Sequence, residues 1–172
     1  MKFKPVLVVG LPLLFAGSLL LAMNAEPIED AREPAQVVFV CRNGVSMSVW
    51  ATAYFNRLAA ARGLQERAVA RAAISSYTAV PFRMMFALAV DGFRLDGYRP
   101  HVVSAEDVQD AARVVIVRGT DDTVLPSDAQ AKVSGSEVWQ GFPPMREEYF
   151  ASRSALRARV EDLVERIAAK VP

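Results

Sequence analysis

Residues Val37 to Gly63 read VVFVCRNGVSMSVWATAYFNRLAAARG. The stretch begins as a strand, passes through a short polar loop, and continues as an amphipathic helix. Val37, Val38, Phe39 and Val40 form the continuous β-branched and aromatic run of a strand covered on both faces. Ser46 and Ser48 are residues of the helix-capping type. Trp50, Ala53, Tyr54, Leu58 and Ala61 then recur at helical spacing, and Gly63 stops the helix. A loop between the carboxyl end of a parallel strand and a helix amino end gathers N–H groups around one point, which suits an anion. Cys41, the chain's single cysteine, opens that loop. The helix-end field would favour its thiolate below the free value of about 8.5.

The order of strand, Cys41, five residues, Met47, Ser48 and helix resembles the low-molecular-weight protein tyrosine phosphatase family and its arsenate reductase relatives. The resemblance makes Cys41 the nucleophile and Ser48 its hydroxyl partner. It makes Asn43, Gly44, Val45, Ser46 and Met47 the substrate-binding loop, with the family's Gly-Asn pair in reversed order at Asn43-Gly44. Met47 stands where the family has its catalytic Arg. Pro143-Pro144 stands where relatives carry an Asp-Pro pair before the last helix. Tyr98 sits where many relatives carry a His. The resemblance runs over residues 36–170. It implies a three-layer α/β fold with a four-stranded parallel sheet of order 2-1-3-4, the first strand central and flanked by helices.

The rest of the chain agrees with alternating strands and helices, which argue for parallel βαβ units. Apolar positions Ala68, Val69, Ala72 and Ile74 predict a second strand near Val69–Ile74. Val80 to Val90, VPFRMMFALAV, predicts a helix with Pro81 in its first turn, ended by Asp91-Gly92. Met84, Met85, Leu88 and Ala89 on it are expected in the core. Ser104 caps a helix whose first turn carries Glu106 and Asp107, with Val108 and Ala111 inward. Arg113 to Arg118 predicts a third strand and Ser136 to Trp139 a fourth, with residues 123–135 irregular between them. Met145 to Val171 predicts a long helix with Phe150, Leu156, Val160, Leu163, Val164 and Ile167 inward.

Lys2 and Lys4 precede an uncharged apolar run from Pro5 to Met23. This is the pattern of a signal peptide, with cleavage after Ala25, or of a membrane anchor. The expected organisation is therefore a leader over 1–25, a Pro-bounded linker over 26–35, and one domain over 36–172. Lysines before the run and Glu26, Glu29 and Asp30 after it put the domain outside by the positive-inside rule. The expected location is periplasmic, or anchored to the outer side of the inner membrane through residues 5–23. Without residues 1–25 the 20 basic and 19 acidic residues become 18 against 19, a net of −1. That balance offers no basic field for nucleic acid.

Phosphoryl transfer through Cys41 requires a thiolate, a cradle of N–H groups with a cation, a hydroxyl partner and an acid. Arg42 is the available substitute for the missing cation, with a solvent-facing Arg42 the favoured alternative. Asp121 or Asp122 are the available acids, with a solvated turn favoured. His101, the only histidine, is expected at the surface. No spacing suits a metal, and no glycine fingerprint suits a nucleotide cofactor, so none is expected. The expected ligand is phosphate or a phosphorylated molecule. The expected function is a phosphatase-like domain with reduced or absent turnover, or a non-catalytic phosphoprotein-binding module; an active phosphomonoesterase using Arg42 is the further alternative. A thiol redox role ranks last, because no second cysteine is available to resolve an intermediate.

Overall fold

The structure, a computed structural model, describes residues 26–28, 36–74, 77–133 and 135–170. The leader and most of the linker lie outside the described residues. Four parallel strands form the main sheet: β2 (Val37–Cys41), β3 (Ala68–Ala72), β5 (Arg113–Val117) and β6 (Ser136–Trp139). They lie in the order β3-β2-β5-β6, which is 2-1-3-4 when these four alone are counted. β2 pairs on both sides, Val38 opposite Val69 and opposite Val114.

Alternation along β2 divides the interior. Val37, Phe39 and Cys41 face one apolar cluster with Val115, Val117 and Trp139. Helices α1 (Met47–Ala61) and α5 (Tyr149–Ala168) cover that face through Trp50, Phe55, Leu156, Val160 and Leu163. Phe39 packs its ring 6.0 Å from Phe55 and 5.5 Å from Trp139, contacts worth about 0.5–1.5 kcal/mol each beyond area burial. Val38 and Val40 face a second cluster with Val69, Val114 and Ile116. Helices α3 (Ala105–Gln109) and α4 (Ser127–Gln130) close this side with Val108 and Ala129. The five residues of β2 are all buried, as a strand sandwiched between two helical layers must be.

A second, two-stranded parallel sheet pairs β1 (Glu26–Pro27) with β4 (Phe93–Arg94). Ile28 follows into the core, and its N–H donates to the Arg94 carbonyl at 2.5 Å. The amino end of the expected linker is therefore docked on the domain. A two-residue strand is too short to show period-two alternation, so its sequence carries no strand signal.

Other boundaries shift. β3 ends at Ala72, and Ile74 is exposed while its N–H donates to the Arg42 carbonyl. Helix α2 (Phe82–Val90) buries Leu88 only, leaving Met85 and Ala89 exposed rather than in the core. Phe150 is also exposed, at the first turn of α5, where the chain has only begun to reach the sheet. Leu58 is half-buried and Ala61 exposed at the outer end of α1. A turn of helix, α4, lies inside the stretch expected to be irregular.

Three polar ties hold the layers. Asp91, capping α2, accepts from Trp50 Nε1 at 2.8 Å, from Tyr149 Oη at 2.5 Å and from Arg153. Burial first, and then the Asp91 carboxylate, push the Tyr149 hydroxyl far above its ordinary range, so it donates as a neutral phenol. Arg71, buried on β3, donates from Nε to Asp107 Oδ1 at 2.7 Å. Asp107 also forms the capping box with Ser104.

Burial alone would raise the Asp107 pKa, but the Ser104 N–H and the Arg71 guanidinium outweigh it and hold it below the ordinary 3.8. A depressed carboxylate stabilises the fold fully above its unfolded value, and that contribution disappears as pH falls through the folded one. Urea melts of Asp107→Asn should therefore lie well below wild type at pH 7, with the gap closing as pH drops below about 4. Thr52, 1% exposed on α1, has a hydroxyl with no hydrogen-bond partner among the described residues. An isosteric methyl removes that desolvation cost, so Thr52→Val should raise the unfolding free energy by about 1 kcal/mol with an unchanged denaturant slope.

Candidate functional site

The 41–48 loop leaves β2 at the point where its neighbours diverge, β3 to one side and β5 to the other. This is where ligands gather in open parallel sheets. Gly44 takes φ +62°. A Cβ there would stand 3.0 Å from both Ala72 N and Ala72 Cβ. Glycine is thus required twice, by backbone conformation and by contact with β3. Tyr98 Oη donates to the Gly44 carbonyl at 2.7 Å and is buried. The Cys41 and Arg42 carbonyls accept from Ala73 and Ile74. The loop's carbonyls are thereby turned onto the protein.

Its amides are not. Among the described residues the N–H groups of Gly44, Val45, Ser46, Met47 and Ser48 donate to no backbone carbonyl. Ser46 occupies the N-cap position of α1, but its side chain makes no capping bond, and the first turn holds no acid. Gly44 and Val45 are buried. A buried loop with unengaged donors at a helix amino end, unscreened by a capping side chain, has the chemistry of an anion cradle. Cys41 Sγ lies 3.0 Å from Ser48 Oγ, both groups buried. Ser48, expected as the hydroxyl partner of Cys41 or as a helix cap, has its hydroxyl against the sulfur, where it can donate to a thiolate.

The charged groups are sparser. Met47 is 8% exposed, and a Cβ on Gly119 would stand 3.3 Å from its Cε. An uncharged thioether thus runs from the loop to the carboxyl end of β5. Arg42 is exposed, and its guanidinium makes no hydrogen bond or ion pair among the described residues. Asp121 accepts from the Thr123 N–H and hydroxyl, which ties it into its own turn; Asp122 is exposed. The Pro143 carbonyl accepts from Ser152, fastening the prolines to α5. His101 Nδ1 lies 3.3 Å from the Arg99 carbonyl. Among the described residues no three His, Cys, Asp or Glu side chains are grouped to hold a metal.

The family model described as low molecular weight phosphotyrosine protein phosphatase matches residues 36–141. The chain belongs to this family. Among solved structures it is similar to an arsenate reductase in the phosphate-binding state, at 22% identity and TM-score 0.60, covering 77% of this chain and 98% of that one. It is similar to YfkJ from Bacillus subtilis at 20% identity and TM-score 0.59, covering 82% and 97%. It is also similar to the tyrosine phosphatase Wzb from Escherichia coli K30 in complex with phosphate, at 11% identity and TM-score 0.55, covering 85% and 94%. At these identities the likeness is one of fold. No curated protein sequence matches.

The phosphatase family match includes the whole 41–48 loop and ends before Pro143-Pro144. Sequence reasoning missed Tyr98 as a support of the loop. The signal was its place at a position where relatives carry a His, which identifies the site's neighbourhood but not a bond to a carbonyl 54 residues away.

Gly44→Ala forces a Cβ against β3 in a left-handed conformation, so it should cost about 1–3 kcal/mol of stability. It should also lower loop affinity for phosphate, read by calorimetry on the folded variant.

Proposed function

We propose that this phosphatase-family chain binds phosphate or a phosphorylated ligand in the 41–48 loop, with phosphomonoester turnover reduced or absent. The observation that carries the reading is Met47, buried and uncharged at the position of the family's catalytic Arg, above a loop that otherwise keeps its donors.

The loop amides can take the oxygens of a phosphoryl group while Cys41 sulfur lies at the loop's base, beside the Ser48 hydroxyl. Attack by the thiolate would spread charge over the equatorial oxygens. A guanidinium would meet that charge with two parallel donors; a thioether has none. The loss is on the order of 3–4 kcal/mol of transition-state stabilisation, or roughly a few hundredfold in rate. A leaving alkoxide also needs a proton. Pro143-Pro144 has none to give, and Asp121 is engaged with Thr123. Ground-state binding survives these losses better than turnover does, because the amides remain.

A single cysteine bears on the arsenate reductase alternative. Reduction that leaves an oxidised thiol needs a second thiol to resolve it, and the chain has none. An active phosphomonoesterase with Arg42 as cation is the second reading, favoured by one observation: Arg42, next to Cys41 in the chain, is exposed and its guanidinium has no partner among the described residues. In this proposal residues 1–25 direct the domain out of the cytoplasm, supported by the lysines before the apolar run and the acids after it.

Calorimetry with inorganic phosphate and vanadate should show binding by wild type. Hydrolysis of an aryl phosphate by wild type should be at or near the rate of Cys41→Ser. Met47→Arg should raise it by at least about tenfold. Strong wild-type turnover lost in Cys41→Ser would overturn the reduced-activity reading, and its further loss in Arg42→Ala would establish the second. No heat at millimolar phosphate from the folded protein would overturn both.

A further inference from the structure

We propose that residues 5–23 anchor the chain in a bilayer and that helix α2 is a membrane-contact surface lying in its headgroup layer. Of the nine residues of α2, FRMMFALAV, eight are apolar and only Leu88 is buried. Phe82 is 78% exposed, Phe86 64%, Val90 59% and Met85 45%. These four share one face by their three- and four-residue spacing. A helix apolar almost all round belongs in a core or against lipid, and only Leu88 and the partly buried Met84 meet the core.

The topology says what adjoins this face. β1 runs parallel to β4, Glu26 opposite Phe93. Phe93 follows Gly92 at the carboxyl end of α2, so Glu26 is brought beside that end of the helix. In sequence, the 19-residue apolar run from Pro5 to Met23 ends three residues before Glu26. Lengths choose the occupant. As a helix the run measures about 28 Å, close to the roughly 30 Å hydrocarbon core, whereas α2 is about 13 Å long. The run is twice what α2 could cover and matches what a bilayer requires.

Charge agrees. α2 carries Arg83, exposed, and no acid. Arg99, also exposed, lines with Met85 the groove beside the helix. The neighbouring acids are taken: Asp96 pairs with Arg94 and Asp91 with Arg153. Aromatic side chains flanked by the exposed Arg83 and Arg99 suit an anionic headgroup layer, at about 1 kcal/mol per basic residue. This proposal does not depend on the chemistry of the Cys41 loop.

The test uses the full chain in vesicles of phosphatidylcholine and phosphatidylglycerol, with Phe86→Trp as probe and Val138→Trp, on the far edge strand β6, as control. Native Trp50 and Trp139 are 2% and 1% exposed and contribute a constant background. Lipid brominated in the upper acyl chain should quench roughly half of the added emission from Phe86→Trp, since interfacial helices sit about 5–10 Å into the headgroup boundary, and little from Val138→Trp. Equal quenching of the two would overturn the proposal. So would blue-shifted, unquenched emission from Phe86→Trp, which would mean that protein covers the face. So would failure of the full chain to float with the vesicles.

Discussion

The contact between Gly44 and β3 is the constraint on which the molecule's useful geometry depends. A loop leaving a central strand can go in many directions. This one is pressed against the backbone of Ala72 so closely that no side chain fits between them. That approach turns the loop carbonyls toward β3 and Tyr98. The amides from Gly44 to Ser48 are left without backbone partners among the described residues. The position of Cys41 follows as well, since the strand delivers its sulfur to the base of the same loop, within reach of Ser48. A glycine with positive φ, a buried phenol and a strand edge together hold a loop whose amides have no backbone partner among the described residues, a state the chain would otherwise relieve by capping.

None of these supports is the catalytic cation. The loop is held by Gly44, Tyr98, the Ala73 and Ile74 amides and the Cys41–Ser48 contact. Replacing a guanidinium with a thioether at position 47 therefore leaves the scaffold intact, and Met47 gains a buried contact with Gly119 where an arginine would need partners. In the proposed reading, the residues that hold the loop and the residue that would meet phosphoryl charge are different ones.

Helix α2 and the Asp91 tie show how the outer elements are arranged around that scaffold. Asp91 collects donors from α1 and α5 and fixes the end of α2 against both. β4 follows directly and receives β1, so the segment that continues toward the amino terminus is stitched to the same corner. The apolar residues of α2 that do not reach the core therefore lie next to the corner where β1 docks on β4.

Periodicity made much of this visible in advance. The continuous apolar run of β2, the Ser104 box, the strand at 136–139 and the inward stripe of α5 from Leu156 to Ile167 follow from side-chain spacing, which is a local property. The same spacing put Met85 and Phe150 inside, and they are exposed. Period identifies which residues share a face, but only the docking of the helix decides whether that face meets protein. Ile74 differs for a related reason: the Ala72 N–H and carbonyl bond to His101 and Val103, while the Ala73 and Ile74 N–H groups follow Cys41 and Arg42 into the loop, past the cover of the sheet. By itself, then, the chain's order of residues determined the alternation of strand and helix, the place of Cys41 at a strand–helix junction, and the absence of an arginine at position 47, because each is written in neighbouring residues. Tertiary structure alone decided that Tyr98 would brace Gly44, that Arg71 could be buried against Asp107, and that Glu26 would join Phe93. Each of those depends on two distant segments arriving at the same few ångströms, and no local pattern encodes that meeting.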